Sequence, residues 1–599
     1  MAITPSPNRP RAVSDRTTRI AIWLACVSPL VWIPGGFSRF VFAKALVVAA
    51  ACGAGALARP TGRLPREITL VLISGAAVFT LAGLLGDTPV ASLVGRWPRY
   101  EGLPMLGLYC AAAWLGARVG GPYTRAADQL VRAIAGAGWV LFVFSALDAM
   151  GVSPLGASVG GARTGSLLGN ATDQGLVAMM TILVLLPVAL ERRDAYLLAT
   201  TAAAAITLGL SGSRAAVLVT ALGLVVPAVL RDRQARRLAL AGLGVLITVV
   251  LVLPESRDRL LHSGTVSGRW LQWRLTMPLA GEHSLLGIGP SRYVDAFGRH
   301  ETTHWARFTG LHTYADSPHD VVLQVWLAGG IPLLLIAGAL AVLVVRCGWR
   351  AAKEEALAFG LLLAVSGYAV AMLANFTIAC STCLAAFLAG CLLAKPPPAP
   401  VDAKGRRRKA PTTYDEARWI RPAAVGIASL AIVALLAGCI SEIALQRGMD
   451  AVGRGDVSTA RHDFSTARAL RPLDSDVSML EAQALAALAN RGDESAATLT
   501  DSLARRSLDR TPTTYAALLA RGTAQLTLDQ PADAERTFLA LTRSYPVRPD
   551  GFIQLAIARY GTGDRVGAEA AVHRAIRIAP HYRLARTVLR RLNAQPPAS

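Results

Sequence analysis

Charge is scarce in this chain. Only 17% of its 599 residues are Asp, Glu, Lys or Arg, and the acids (39) are outnumbered by the bases (61). With 53% hydrophobic residues and a mean hydropathy of +0.42, most of the sequence cannot be a water-soluble domain. The net charge of +22 does not point to nucleic acid. The arginines fall mainly in short connectors between apolar runs, and no basic aromatic surface accompanies them. Cysteine is missing where a disulfide-stapled fold would need it. The eight cysteines, Cys26, Cys52, Cys110, Cys347, Cys380, Cys383, Cys391 and Cys439, all lie in or beside apolar segments, which excludes a disulfide framework in the polar parts. Cys380-Ser381-Thr382-Cys383 has redox spacing without a histidine or carboxylate partner and reads as packing. Leu436-Ala437-Gly438-Cys439 resembles a lipoprotein cleavage box, too deep in the chain to be one. No HExxH and no DxD-like pair stands in the polar loops, so a metal-independent site without a cofactor is expected.

What is present is a succession of apolar runs. The first follows Arg9, Arg11, Arg16 and Arg19 and reads as a retained helix with its N-terminus in the cytoplasm. Further runs are centred near residues 49, 77, 111, 140, 183, 203, 222, 246, 338, 364, 385 and 431. The expected architecture is an all-α polytopic membrane protein of about thirteen transmembrane helices. The strongly basic connectors, including Arg231–Arg237 and the Pro-rich linker 395–421 with Arg406-Arg407-Arg408-Lys409, then share one side with the N-terminus. The 254–318 loop and everything after residue 441 fall on the other side. The expected divisions are a transmembrane region at 1–394, the linker at 395–421, a last span at 422–440 and an external repeat domain at 441–599.

The external connectors keep arginine against the topological bias: Gly95-Arg96-Trp97-Pro98-Arg99-Tyr100-Glu101-Gly102, Gly161-Ala162-Arg163, and the turn Ser211-Gly212-Ser213-Arg214. One such arginine alone is as well explained by snorkelling to lipid phosphates. Several on one face, together with the long loop, point to a basic external site.

After Ser441 a repeat of about 34 residues appears. Pro512, Pro546 and Pro580 are evenly spaced, and Pro472 lies one longer unit earlier. Gly448, Ala460, Phe464 and Ala467 precede Pro472 as Gly522, Ala534 and Phe538 precede Pro546. This small, small, aromatic, small, Pro pattern is that of a tetratricopeptide repeat, a paired-helix solenoid. The unit from about Ser475 to Pro512 is degenerate.

Arginine matches phosphate in fork geometry and stays charged, so these residues suit a lipid-borne diphosphate. His319 is the first choice of base, at the point where the loop re-enters an apolar helix; His300, His304 and His312 are alternatives, and a histidine bonded at a helix start is the structural reading. Arg269 and Arg274 are five apart, off one helical stripe. Trp270 and Trp273 can stack on a sugar or pack on the bundle. Gly287 and Gly289 permit a sharp turn with backbone close to a ligand.

Arg269-x-x-x-Trp273, Leu286-Gly287-Ile288-Gly289-Pro290, His319-Asp320 and Gly329-Gly330-Ile331-Pro332, with Arg99-Tyr100-Glu101-Gly102, Gly169-Asn170 and Ser211–Arg214 before them, resemble the O-antigen ligase/O-antigen polymerase family. The resemblance spans residues 20–394 and implies a fold like the type-C membrane glycosyltransferases. It also implies a bacterial inner-membrane enzyme that moves glycans from undecaprenyl diphosphate onto lipid, glycan or protein acceptors. Carried over, Arg214 and Arg269 would bind diphosphate and His319 would activate the acceptor. Arg274, Trp273, Arg99, Arg163 and Asp320 complete the candidate set. The family often has His-Asn where this chain has His319-Asp320, so Asp320 either tunes the imidazole or caps the helix. The repeats add a surface for a peptide or another wall enzyme.

Ligation, polymerisation and protein glycosylation share this chemistry. A lipid-linked sugar transporter would place charge at mid-membrane or show matching interrupted helices, and the spans here are nearly free of charge. A membrane-anchored scaffold would leave Arg214, Arg269 and His319 unexplained.

Overall fold

The structure, a computed structural model, describes residues 16–121, 126–152, 165–230, 233–252, 257, 264–311, 314–395 and 418–594. Arg163, His312, Arg9, Arg11 and the basic cluster Arg406–Lys409 lie outside the described residues.

Among the described residues the chain is helical, and each predicted apolar centre falls on a helix. In order these are α1 (Arg16–Val27), α2 (Val41–Leu57), α3 (Arg66–Leu85), a short α4 (Pro89–Val94), α5 (Leu103–Val119), α6 (Ala126–Ala149), α7 (Ala171–Arg192), α8 (Ala195–Ser211), α9 (Arg214–Leu230) and α10 (Arg233–Val252). The region read as one long polar loop contains three helices, α11 (Gly264–Glu282), α12 (Tyr293–Ala296) and α13 (Thr303–Thr309). Then come α14 (Val321–Ala352), α15 (Ala356–Ala371), α16 (Ala379–Leu393) and α17 (Ile420–Gly453).

Six of these, α3, α6, α7, α14, α15 and α17, are long and apolar enough to cross a membrane. Helices α2, α5, α8 and α16 are apolar and 15 to 17 residues long, α9 and α10 carry described apolar stretches at Arg214–Val226 and Gly242–Val252, and α1 has 12 residues. A bilayer core asks for about 20 helical residues, so length and composition support six full crossings among the described residues. The apolar runs are divided more finely than hydropathy alone suggests. Gly212, for example, ends α8 in the left-handed conformation (φ +57°) two residues before α9 begins.

Helix α7 is the hub of the bundle. Of its apolar window 89% is buried, against 17% for α3, α14 and α17, whose outer faces are bare. Helices α1, α2, α5 to α9, α15 and α16 share its core. At one end Arg63 and Lys395 pair as an isolated bridge, and the Arg118 guanidinium donates to the carbonyls of Gly55 and Ala58 at 2.7 and 3.0 Å.

Helix α14 is broken at Gly329 (φ −156°, ψ 19°) and Gly330 (φ 70°, ψ −168°). The turn around Gly287 (φ +69°) seats in the break: Ile288 N–H donates to Leu327 O at 2.8 Å and Ile331 N–H to Ser284 O at 2.9 Å. The freed helix carbonyls and amides are thereby paired again. The two glycine-rich motifs therefore meet each other, and the close approach at Gly287 is to Leu327 O, not to a ligand. A Cβ at Gly330 would lie 2.1 Å from Leu285 O in a backbone region that costs other residues about 1–2 kcal/mol before any clash. Gly330→Ala is therefore expected to lose most of its monodisperse yield in detergent gel filtration, whereas Gly338→Ala, with open space around the added Cβ, is expected to keep it.

The C-terminal half of α17 pairs with α18 (Val457–Leu470), starting a right-to-left series of antiparallel helices: α19 (Ser475–Ala489), α20 (Glu494–Leu508), α21 (Tyr515–Thr527), α22 (Pro531–Ser544), α23 (Pro549–Gly561), α24 (Arg565–Ile578) and α25 (Arg583–Ala594). Gly448 lies under the ring of Phe464 and Gly522 under that of Phe538, with no room for a Cβ at either glycine. Small residues on one helix thus admit the aromatic of the next, which is what the repeat pattern requires. The unit that is degenerate in sequence folds as the pair α19 and α20, with Asp474 and Asp493 as their caps.

The solenoid seats on the polar loops through buried ion pairs. The Arg96 guanidinium joins Asp295 and Asp476 and donates to Thr514 Oγ1 at 3.0 Å. Arg548 is bidentate to Glu301 at 2.8 and 2.6 Å and stacks over Tyr314 and Trp305.

Candidate functional site

The site forms where the solenoid-facing loops meet the start of α14. Arg269 and Trp273 lie four apart on α11 and so share one helix face. Trp273 Nε1 donates to Pro318 O at 2.9 Å, and its neighbour Gln272 donates from Nε2 to Ser317 O at 2.6 Å. These two side chains fix the Ser317-Pro318 turn from which His319 projects. Trp273 is thus a positioning residue, held by a hydrogen bond rather than open for sugar stacking. Arg274 sits on the exposed side of α11, away from this face, and Trp270 is 66% exposed. Neither joins the cluster.

His319 adopts φ +52°, a left-handed backbone that histidine tolerates better than most residues. The next residue, Asp320, caps α14: its Oδ1 accepts from Leu323 N–H at 2.8 Å. The carboxylate therefore points into the helix start and not onto the imidazole, settling which of its two expected roles the fold uses. Asp320→Ala is expected to cost about 1 kcal/mol of stability, and Asp320→Asn, which keeps the acceptor, should melt within about a degree of wild type by differential scanning fluorimetry.

The imidazole packs edge-on to Phe376, with ring centroids 5.0 Å apart. On the same ring lies the Arg99 guanidinium, 3.2 Å from the centroid and bidentate to Asp316 at 3.0 and 2.8 Å. Arg269 reaches the carbonyl of Ala374, two residues before Phe376. His319 Nδ1 is buried without a hydrogen-bond partner. Burial, reinforced by the positive charges of Arg99 and Arg269 against the weaker pull of Asp316, lowers the His319 pKa to about 4. The ring is a neutral base flanked by two cations.

Arg214 begins α9 after the Ser211–Ser213 turn and is half-buried there. Arg163 lies outside the described residues. His300 and His304 sit on the far side of the loop region, His300 3.8 Å from Glu282 and His304 beside Phe308.

Beside the cluster opens a cavity of about 250 Å³, walled by Leu72 and Phe79 of α3, Leu106 of α5, and Leu333 and Leu340 of α14. Its polar rim carries Arg99, Glu101 and Arg292. Glu101 is half-buried; Tyr109 OH and Thr377 Oγ1 donate to it at 2.6 and 2.9 Å, and desolvation raises its pKa above the usual carboxylate value. Arg99 Nη1 and Arg292 Nε and Nη1 are buried donors without acceptors. Arg292 lies 3.7 Å from Asp87, which is itself exposed, and feels the buried carboxylate of Asp295. Buried guanidinium N–H groups left open are costly unless an anion completes them. Arg292, Asp316, Phe376 and Glu101 are not among the residues to which the sequence points, although Arg292 stands two residues after Pro290 and Glu101 lies within Arg99-Tyr100-Glu101-Gly102. Phe376 carried no signal, since only the fold brings it under both Arg99 and His319.

Comparison with known proteins adds three findings. No curated protein matches the chain. Among solved structures, the anaphase-promoting complex hetero-tetramer Cut9–Hcn1 aligns at 13% identity over 81% of this chain and 76% of that chain. Its TM-score is 0.23, too low to bear on fold or function. Residues 199–338, which run from α8 into α14 and contain Arg214, Arg269, Trp273, Arg274, His319 and Asp320, match the family described as O-antigen ligase, as the sequence resemblance implied.

Proposed function

We propose that this protein transfers a glycan from a polyprenyl-diphosphate carrier to the hydroxyl of an acceptor, at the end of the membrane bundle where the solenoid sits. The family match supports membrane glycan transfer in general. The observation that carries the finer reading is the junction of an apolar slot with open guanidinium donors and a neutral, unpartnered imidazole. The prenyl tail lies between α3, α5 and α14, two of which have bare outer faces. The diphosphate accepts from Arg99 and Arg292, with Arg269 adding positive charge beside His319. In this reading Arg292 is added to Arg214 and Arg269, the arginines that the family resemblance implies for the diphosphate.

The acceptor hydroxyl attacks the anomeric carbon as its proton passes to the imidazole. A bond forms between acceptor oxygen and anomeric carbon, and the bond from that carbon to the diphosphate oxygen breaks. The electron pair leaves with the diphosphate, where the guanidiniums neutralise it. One displacement inverts the anomeric centre, and the chemistry proceeds without a metal. The membrane is a bacterial plasma membrane, with the N-terminus in the cytoplasm and the solenoid outside.

The test is the pH profile of kcat/KM for transfer, run in nanodiscs with chelator present. The base acts when neutral. Because His319 is held at about 4, activity should stay level on acidification through pH 6.5 and fall only as the pH approaches 4. An acid limb at 6.5 or above, or loss of transfer on chelation, contradicts this reading.

A further inference from the structure

Between the loops and the inner face of the solenoid lies a second, larger chamber of about 600 Å³. This is within the about 300–1,000 Å³ range of ligand sites. Its floor is the loop segment Arg96-Trp97-Pro98 with Tyr314, and its roof is α19, α21 and α23 of the repeats. It is continuous with the site already described: Arg96, Trp97, Pro98, Val294 and Asp316 line both spaces. Asp316 is the residue that grips Arg99, so an occupant of the chamber has its near end beside His319.

The lining chemistry selects the occupant. The arginine that enters, Arg96, is already neutralised by Asp295 and Asp476, and the chamber offers no open cation for a phosphate-rich ligand. What it does offer is aromatic surface, from Trp97, Tyr314 and Tyr515, and neutral amides, from Gln483, Asn490 and Gln554. Flat apolar rings beside amides that donate and accept at once match the two faces of a sugar ring, apolar C–H on one and hydroxyls on the other. Met479, Leu519 and Ala520 add apolar wall, and Asp316 and Asp550 add carboxylates that accept from sugar hydroxyls as the amides do and repel an anionic ligand.

We infer that the chamber is the acceptor subsite and that it holds a neutral or weakly charged oligosaccharide, whose end hydroxyl is presented to His319. The inference rests on the transfer reading above and narrows its acceptor to a glycan. The solenoid is then a wall of the enzyme's own site.

The test uses full-length protein in nanodiscs and, as probe, a panel of neutral oligosaccharides of defined length that carry no lipid or diphosphate. Gln483 and Asn490 are exposed on the solenoid, so Gln483→Leu and Asn490→Leu are compatible with folding. Each is expected to weaken probe binding at least tenfold by calorimetry and to raise the acceptor KM by the same factor, with the donor KM unchanged. Wild-type affinity in both variants overturns the inference, as does displacement of the probe by a mixture of unstructured peptides. A rise in the donor KM instead assigns the chamber to the donor's own glycan, which also overturns it. Binding is read without turnover: a protein that binds the probe through these residues but transfers nothing refutes the transfer reading, and one that transfers normally in both variants refutes the chamber.

Discussion

His319→Ala is expected to lower the turnover of glycan transfer by about 10²–10⁴-fold, the range a positioned general base supplies. Affinity for the lipid-diphosphate donor should stay within about twofold. The separation of the two effects follows from the geometry. The open donors face the cavity from Arg99 and Arg292, whereas His319 contributes a ring held between them and α11. Alanine leaves Arg99 on Asp316 and leaves Asp320 as the cap of α14, so the fold should survive. Alanine fits the left-handed backbone (φ +52°) less well than histidine does, so a melting curve within a few degrees of wild type is the control. His319→Gln, which preserves size and polarity but not basicity, should be as inactive. Turnover near wild type in either variant, with folding verified, would mean that the proton goes elsewhere.

The second large effect concerns Arg96. This guanidinium is 4% exposed and lies between Asp295 of α12 and Asp476 of α19, and Trp97 N–H also donates to Asp476 at 2.7 Å. Removing one partner of a buried ion pair costs about 3–5 kcal/mol, because the other charge stays behind unpaired. Here two carboxylates would be left behind. Arg96→Met should therefore release the solenoid from the loops, seen as faster hydrogen exchange in α19 and α21 and a lower first melting transition. Arg96→Met combined with Asp476→Asn and Asp295→Asn should recover part of the loss. Unchanged exchange in α19 and α21 would show that Arg548 and the remaining contacts hold the solenoid alone.

Hydropathy located every apolar helix, because burial in the bundle or in lipid demands the same residue types over the same lengths. Six of the helices so located are long and apolar enough to cross a membrane by length and composition, and Gly212 divides α8 from α9 within one apolar stretch. The repeats were legible through Gly448 and Phe464, whose contact is steric and hence written in residue size. The pair α19 and α20 was not, since alanines and leucines fill the same space without the aromatic. At the site, His319 and Arg269 were visible as polar residues out of place in apolar surroundings. The spacing of Arg269 and Trp273 was visible too, but its reason, one helix face gripping the Ser317-Pro318 turn, needed α11, which had been taken as loop. Arg214 stands out as an arginine kept in an external connector against the topological bias, and the family match covers it. Arg292 is the converse case: ordinary in sequence, it becomes informative only once its buried N–H groups are seen without acceptors.

The most direct test of glycan transfer is a single-turnover reaction of purified protein with a radiolabelled polyprenyl-diphosphate glycan and an acceptor oligosaccharide in a sealed proteoliposome. Mass spectrometry would follow product and carrier together. The account predicts one free polyprenyl diphosphate for each acceptor that gains the mass of the glycan, with both signals lost in His319→Ala and in the double variant Arg99→Ala/Arg292→Ala. Movement of intact lipid-linked glycan across the bilayer, with no carrier released and no acceptor gaining mass, would contradict it and make the protein a transporter.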